Sequence, residues 1–369
     1  MKILFTGYYG FNNFGDDLFP LASLEALKNE TEIDIAILSP KIDGIDANFL
    51  VPDFVSKIYR GNSFLSKLSR MFFMLFYSFL YDKIVLAGGS VISSNTSNNM
   101  RMLQYILARI GVCKLYAIGV SVGPFSSKKD EAFSRKFINS LSYLSVRDNA
   151  SVDECKRIKC THIPDNNFDI AGVLYPYFKR NNLYSSNTQK LGVSLCFYER
   201  YAGGDKRIED KRSSALIDGI INFCSKNRSI EVIVFVLNTN DDLGDYYISK
   251  NIFDLLTENG INVSLWQHAN PLQSIEKIKE CDFFITTRLH GGIAAYLSGI
   301  NFCLVEYHRK CTDFNNAIFY PRDLRLDNIN ITSQRVDLVL NELLTVKLDV
   351  LKPSDYESFS LKPYSRILG

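Results

Sequence analysis

The stretch Cys281–Lys310, CDFFITTRLHGGIAAYLSGINFCLVEYHRK, reads as a strand, a helix and a second strand. Asp282 to Ile285 is a short apolar run of the kind that forms a buried strand, and it ends in Thr286 and Thr287. Arg288 to Ser298 then reads as a helix, closed by Gly299, a residue suited to the left-handed turn at a helix end. Another strand follows before Glu306. Two strands joined through a helix are the repeating unit of a parallel sheet, so the stretch predicts an α/β fold. It also predicts a site. Arg288 and His290 fall in the first helical turn, where free backbone N–H groups and the positive end of the helix dipole attract an anion. An imidazole placed there donates to the anion or moves a proton. Gly291 and Gly292 leave room for a ligand to approach the backbone. Lys310, in the cluster Glu306, His308, Arg309 and Lys310, is a second cation for the same anion. The plain alternatives are a surface arginine, a satisfied histidine and a solvated loop. Their common position at the carboxyl end of a strand, the ligand edge of open α/β sheets, weighs toward function.

Working outward, short β-rich runs alternate with longer helical stretches over most of the 369 residues. The first half reads as strands at Lys2 to Thr6, Ile33 to Leu38, Lys83 to Ala87, Lys114 to Gly119 and Tyr143 to Val146. A second series runs through Leu191 to Cys196, Glu231 to Val236 and Asn262 to Trp266 to the strand at Asp282. Between the two series lies KRNNLYSSNTQ, Lys179 to Gln189, polar and without apolar periodicity, the best linker in the chain. The expectation is two Rossmann-like domains, 1–180 and 190–350, facing a central cleft. The tail, 351–369, is expected to pack back on the N-terminal domain.

The chain opens with MKILFTGYYGFNNFGDDLFPLASLEALKN, a strand, a glycine-bearing loop and an amphipathic helix. Gly7, Gly10 and Gly15 lack the spacing of a dinucleotide site, and there is no Walker lysine. Asp16 and Asp17 stand where the helix begins, and two carboxylates there repel a phosphate. The loop suits a neutral, hydroxyl-rich ligand better. Gly10, Asn13 and Asp16 are the candidate contacts for such an acceptor, and Asp16 is either a base for its hydroxyl or simply a helix cap. Three further pieces end on the same predicted sheet edge: Gly88-Gly89-Ser90, which adds Gly89 and Ser90 to the acceptor side, AIGVSVGPF (Ala117 to Phe125), and SVRDNAS (Ser145 to Ser151) followed by HIPDNNFD (His162 to Asp169). Taken singly, each is as well explained by turns and by a cap at Asp148.

Bulk properties exclude more than they reveal. A hydrophobic fraction of 46% and a charged fraction of 22% are those of an ordinary globular protein, and a net charge of +2 gives no field for nucleic acid. The eight cysteines form no C-x-x-C pair and read as reduced core residues of a cytoplasmic protein; the four histidines are far apart, so no metal site is expected. Phe64 to Tyr81 is the one membrane-like stretch, and its continuous apolar part, Met71 to Tyr81, is too short to span a bilayer. It reads as a buried helix, or as an interfacial one that brings Lys57, Arg60, Lys67 and Arg70 to anionic lipid, a peripheral contact through 57–81 at the inner face of the membrane.

In their order along the chain, GYYGFNNFGDD, AGGSVIS, AIGVSVGP, SVRDNAS, PDNNFD, TTRLHGGIAAYLSGI and EYHRK resemble the polysaccharide pyruvyl transferase family. The resemblance covers most of the chain. It implies a GT-B-like fold and transfer of a pyruvyl group from phosphoenolpyruvate to two hydroxyls of one sugar, with release of phosphate. It implies no cofactor, and it implies a donor site on the R-L-H element, here Arg288, Leu289 and His290. The acceptor is then a sugar of a cell-surface or exported polysaccharide precursor, free or lipid-linked. One departure stands out: where the family tends to carry an arginine after the first strand of the second domain, GVSLCFYER has Cys196, leaving Arg200 or Arg207 to substitute. In this scheme His290 is the acid and Asp16 the base. The competing expectations are a nucleotide-sugar glycosyltransferase of the same fold and a non-catalytic carbohydrate- or anion-binding relative.

Overall fold

Continuous apolar runs such as KIVLA become strands buried on both faces, and the chain builds two parallel sheets from them. The computed structural model describes residues 1–94, 96, 98–180, 188–240 and 244–369. Most of the linker expected at Lys179 to Gln189 lies outside these residues. By its internal contacts the chain divides into two units, one made of 1–11, 16–174 and 354–369 and the other of 12–15 and 175–353.

The first unit holds β1 (Lys2–Thr6), β2 (Asp34–Pro40), β3 (Asn48–Val51), β4 (Lys83–Ala87), β5 (Lys114–Val120), β6 (Tyr143–Val146) and β7 (Asp165–Asn166). Their spatial order is β3-β2-β1-β4-β5-β6-β7 and all neighbours are parallel. The order reverses between β1 and β4, which makes the crevice beyond their carboxyl ends the switch point of a doubly wound sheet. The second unit holds β8 (Lys190–Ser194), β9 (Glu231–Val236), β10 (Val263–Gln267), β11 (Phe283–Thr286) and β12 (Asn301–Leu304), in the order β10-β9-β8-β11-β12, again all parallel. Its switch point lies between β8 and β11. Two strands escape sequence reading. β3 is four residues long, and β7 is only the pair Asp165–Asn166.

The helix Phe64–Ser78 is not the buried helix expected. Met74 is buried and Phe73 and Tyr77 pack against the core, but Phe64, Leu65, Leu68, Phe72, Leu75 and Phe76 face solvent.

The tail helix Pro353–Leu368 belongs to the first unit. Tyr356 Oη accepts from Asp169 N at 3.1 Å, Ser360 Oγ donates to Asp169 O at 2.9 Å, and Lys83 Nζ donates to Ile367 O. Phe168, at positive φ, stacks on the Tyr356 ring with centroids 4.7 Å apart. Tyr356→Phe removes the acceptor and leaves a buried N–H without a partner. The expected loss is about 1–3 kcal/mol, read as a lower urea midpoint at unchanged slope.

Candidate functional site

In the second unit the loops after β8 and β11 are stitched together at the switch point. Thr287 Oγ1 accepts from Cys196 N at 2.7 Å, and Thr286 Oγ1 accepts from Arg288 N at 2.9 Å. The helix that follows is Leu289–Leu297, so Arg288 is its N-cap residue, one position earlier than expected. The guanidinium is not presented alone. Its Nε donates to Asp245 Oδ2 at 2.9 Å and Oδ1 at 3.2 Å, and its Nη2 also pairs with Asp245 Oδ1. Asp245 is fully buried and accepts from Asn238 N at 3.1 Å. Burial pushes the Asp245 carboxyl up against the pull of Arg288. Burial alone would lower the Arg288 guanidinium, and Asp245 outweighs it, so Arg288 stays charged and fixed in direction. The pair is close to neutral overall. The local positive charge therefore rests on the helix N-terminus and on Lys310, whose Nζ lies 6.0 Å from the Tyr198 ring centroid and 5.9 Å from that of Tyr307.

Asp245 was not singled out in the sequence, because Asn238–Tyr247 holds several acidic and amide residues with nothing to rank them. Only the fold, which carries this helix start back to the end of β11, separates it from its neighbours.

His290 is half-buried and packs against Gly15, one of the four residues, 12–15, that join the second unit. These residues are held there by backbone bonds: Phe14 N donates to Leu237 O at 2.9 Å, Thr239 N donates to Asn12 O at 2.9 Å, and Asn13 bridges Asn238. Asn13, expected with the acceptor loop of the first domain, is thus part of the second unit. A Cβ on Gly15 would stand 2.6 Å from His290 Cγ, so glycine is what leaves space for the imidazole.

Other expected donor contacts receive different reasons. A Cβ on Gly291 would come 2.7 Å from Thr286 Oγ1, and one on Gly292 would come 3.1 Å from Leu304 Cδ2. These glycines bring the helix close to β11 and β12; they do not open a path for a ligand. Leu289 is buried in the core. Arg200 pairs with Glu209 at 2.8 Å and with Asp210, and lies 4.1 Å above the Phe197 ring; Arg207 pairs with Asp205 at the surface. Both guanidinium groups are held by carboxylates of their own segment. The Cys196 thiol is buried, and burial pushes it up while Arg288 pulls it back.

In the first unit the loop after β1 is braced from inside. Gly10 adopts φ +73°, its N–H donates to the buried Asp17 Oδ1 at 2.7 Å, and its carbonyl accepts from Arg60 Nε. Both polar groups of Gly10 are engaged within the protein, which makes it a turn former. Asp16 lies over the loop after β4, its Oδ1 3.7 Å from the position a Cβ would take on Gly89. Asp16 and Gly89 therefore lie together at the switch point of the first sheet. Ser90 is held by Arg147 Nη2 at 3.2 Å; the same buried arginine bonds Ser121 Oγ at 2.7 Å and Asp169 Oδ2 at 3.0 Å. Asp148 caps the helix Asn149–Arg157 through Ser151 N at 2.7 Å and accepts from Ser121 Oγ at 2.9 Å. The polar residues of SVRDNAS thus lock the ends of β5 and β6 together. A cavity of about 440 Å³ opens beside Gly7 and Tyr8, with Asn62, Lys67 and Arg70 among its walls.

All eight cysteines are buried and free. Among the described residues no group of three His, Cys, Asp or Glu side chains is placed to hold a metal.

Two Rossmann-like units, each with a polar site at its switch point, define a GT-B-like enzyme. The UDP-GlcNAc 2-epimerase of Neisseria meningitidis bound to UDP-GlcNAc superposes with a TM-score of 0.62 at 12% identity, covering 100% of both chains. The UDP-GlcNAc 2-epimerase of Methanocaldococcus jannaschii gives 0.62 at 13%, covering 100% of this chain and 99% of that one. The HepE protein of Anabaena in complex with UDP and glucose gives 0.56 at 12%, covering 100% and 94%. At such identities the likeness is one of fold. Among curated proteins none matches the chain in sequence. The family pattern of the polysaccharide pyruvyl transferases matches residues 13–309, and the chain belongs to that family of transferases.

Proposed function

We propose that the protein transfers the pyruvyl group of phosphoenolpyruvate to two hydroxyls of a sugar in a polysaccharide precursor, closing a cyclic ketal and releasing phosphate. The observation that carries this reading is Arg288, fixed by Asp245 at a helix N-terminus with His290 two residues on and Lys310 nearby. That arrangement suits a small, highly charged carboxylate-phosphate donor.

Phosphoenolpyruvate is unreactive toward hydroxyls until its methylene carbon is protonated. His290 gives that proton, the C2 carbon becomes electrophilic, and a sugar oxygen bonds to it as Asp16 takes the hydroxyl proton. The resulting tetrahedral phospho-ketal then breaks its C2–O bond to phosphate. The neighbouring hydroxyl bonds to C2, its proton leaving with the phosphate or to solvent. Two hydroxyl protons are lost in all; one balances the methylene proton and the other the released phosphate. Arg288, Lys310 and the helix N-terminus hold the donor's charges through these steps.

The test is phosphate release from phosphoenolpyruvate against galactosides, glucosides and N-acetylmannosaminides. One saccharide class is expected to trigger release, with a new ketal methyl signal in proton NMR at one per phosphate. No release with any saccharide, together with nucleoside diphosphate release from a nucleotide sugar, would replace this reading by glycosyl transfer.

A further inference from the structure

The helix Phe64–Ser78 turns Met74, Phe73 and Tyr77 to the core and leaves a second apolar face in solvent. Its buried positions are Ser66, Met74 and Ser78, whereas Phe64 is 81% exposed, Phe72 61% and Phe76 52%. Leu68, Phe72, Leu75, Phe76 and Phe79 recur at three- and four-residue spacing, so the exposed side chains share one stripe. The helix Asp53–Arg60 adds exposed Phe54 and Ile58, and Asn98–Arg109 adds Met102 and Ile106. Both of these helices pack against the first. Soluble monomers rarely leave an apolar face of this kind uncovered.

Charge says what covers it. From Phe54 to Lys129 the chain has ten basic residues and a single acidic one, Asp82, although the whole protein carries only +2. Arg60 and Arg70 are occupied in holding the helices, Arg60 on Gly10 O and Arg70 on Tyr59 O at 2.6 Å and Gly61 O at 2.9 Å. Lys57 and Lys67 are exposed. Of the four cations expected to face lipid, these two are therefore the ones presented. Among the described residues no helix is long and apolar enough to cross a membrane. A phenylalanine- and leucine-rich stripe flanked by lysine is the pattern of a helix lying in a bilayer interface, whereas protein interfaces are depleted in lysine.

We propose that this three-helix face docks on an acidic lipid bilayer, the Phe72 and Phe76 rings entering the headgroup boundary and Lys57 and Lys67 meeting lipid phosphates. The full-length protein is tested by flotation with vesicles of phosphatidylcholine alone and of phosphatidylcholine with phosphatidylglycerol. It is expected to float with the acidic vesicles and to be partly released by salt. The double variant Phe72→Ser/Phe76→Ser should lose about tenfold or more in partitioning at an unchanged melting temperature, since both rings are exposed. Lys57→Glu/Lys67→Glu should remove the preference for acidic lipid. Wild-type protein that stays at the bottom of the gradient, or a Phe72→Ser/Phe76→Ser variant that floats equally well, overturns the proposal. So does sedimentation showing a dimer that the phenylalanine variant cannot form, which would assign the face to a second copy. Phosphate release on soluble saccharides is read separately, so failure of one reading leaves the other standing.

Discussion

Arg288→Ala is expected to lower stability by about 3–5 kcal/mol, because it strands a fully buried carboxylate, and to remove donor turnover as well. The two losses are separable through Asp245. In the double variant Arg288→Ala/Asp245→Ala no charge is left buried, so most of the stability returns, while turnover of phosphoenolpyruvate does not. The pH dependence gives an independent check. Burial raises the Asp245 carboxyl even with Arg288 present, and without the guanidinium the rise is larger. A carboxyl whose folded pKa lies above its unfolded value favours the folded state in acid and loses that contribution as pH climbs through the folded pKa. The Arg288→Ala deficit should therefore grow from acid toward neutral pH, and the double variant should show no such trend. Urea midpoints across that range measure it. A single variant as stable as wild type at neutral pH would mean that the ion pair does not hold this corner of the unit together.

Most of the strands and the two constellations were legible because they depend on local pattern. Strands such as KIVLA and FFIT are apolar throughout, and Arg288 and His290 follow a strand end directly, so sequence position alone puts them on the ligand edge. What sequence could not show is how a polar group is spent. Gly10 reads as an open loop residue until Asp17 and Arg60 are seen to take its N–H and carbonyl. Arg288 reads as a bare cation until Asp245, 43 residues earlier, is carried to it by the fold. The helix Phe64–Ser78 was misjudged for a related reason. Apolar content suggests burial but does not say which face packs, and here Met74, Phe73 and Tyr77 turn to the core while Phe72, Leu75 and Phe76 stay exposed. Asn13 shows the limit for domain boundaries, since a unit defined by contacts can recruit a few residues from inside a distant loop.

His290→Ala is expected to reduce turnover by about 10²- to 10⁴-fold, the range for removal of a positioned acid, with substrate affinity less affected. A loss confined to KM would instead make the imidazole a binding group. Gly15→Ala tests position while keeping the imidazole in the chain. The substitution lies in the first turn of the helix Phe14–Ala26, where alanine gains at most about 1 kcal/mol in helix propensity over glycine. Against that, the new methyl would sit 2.6 Å from His290 Cγ and 2.9 Å from Cε1, so the ring must turn aside by roughly an ångström. Displacement of that size in a reacting group costs about 10²-fold in rate, whereas the effects on stability nearly cancel. The expected result is an enzyme with a melting temperature close to that of wild type and turnover two orders lower. If His290 served only to pack the unit, both variants would move the melting temperature and leave turnover of the folded fraction unchanged.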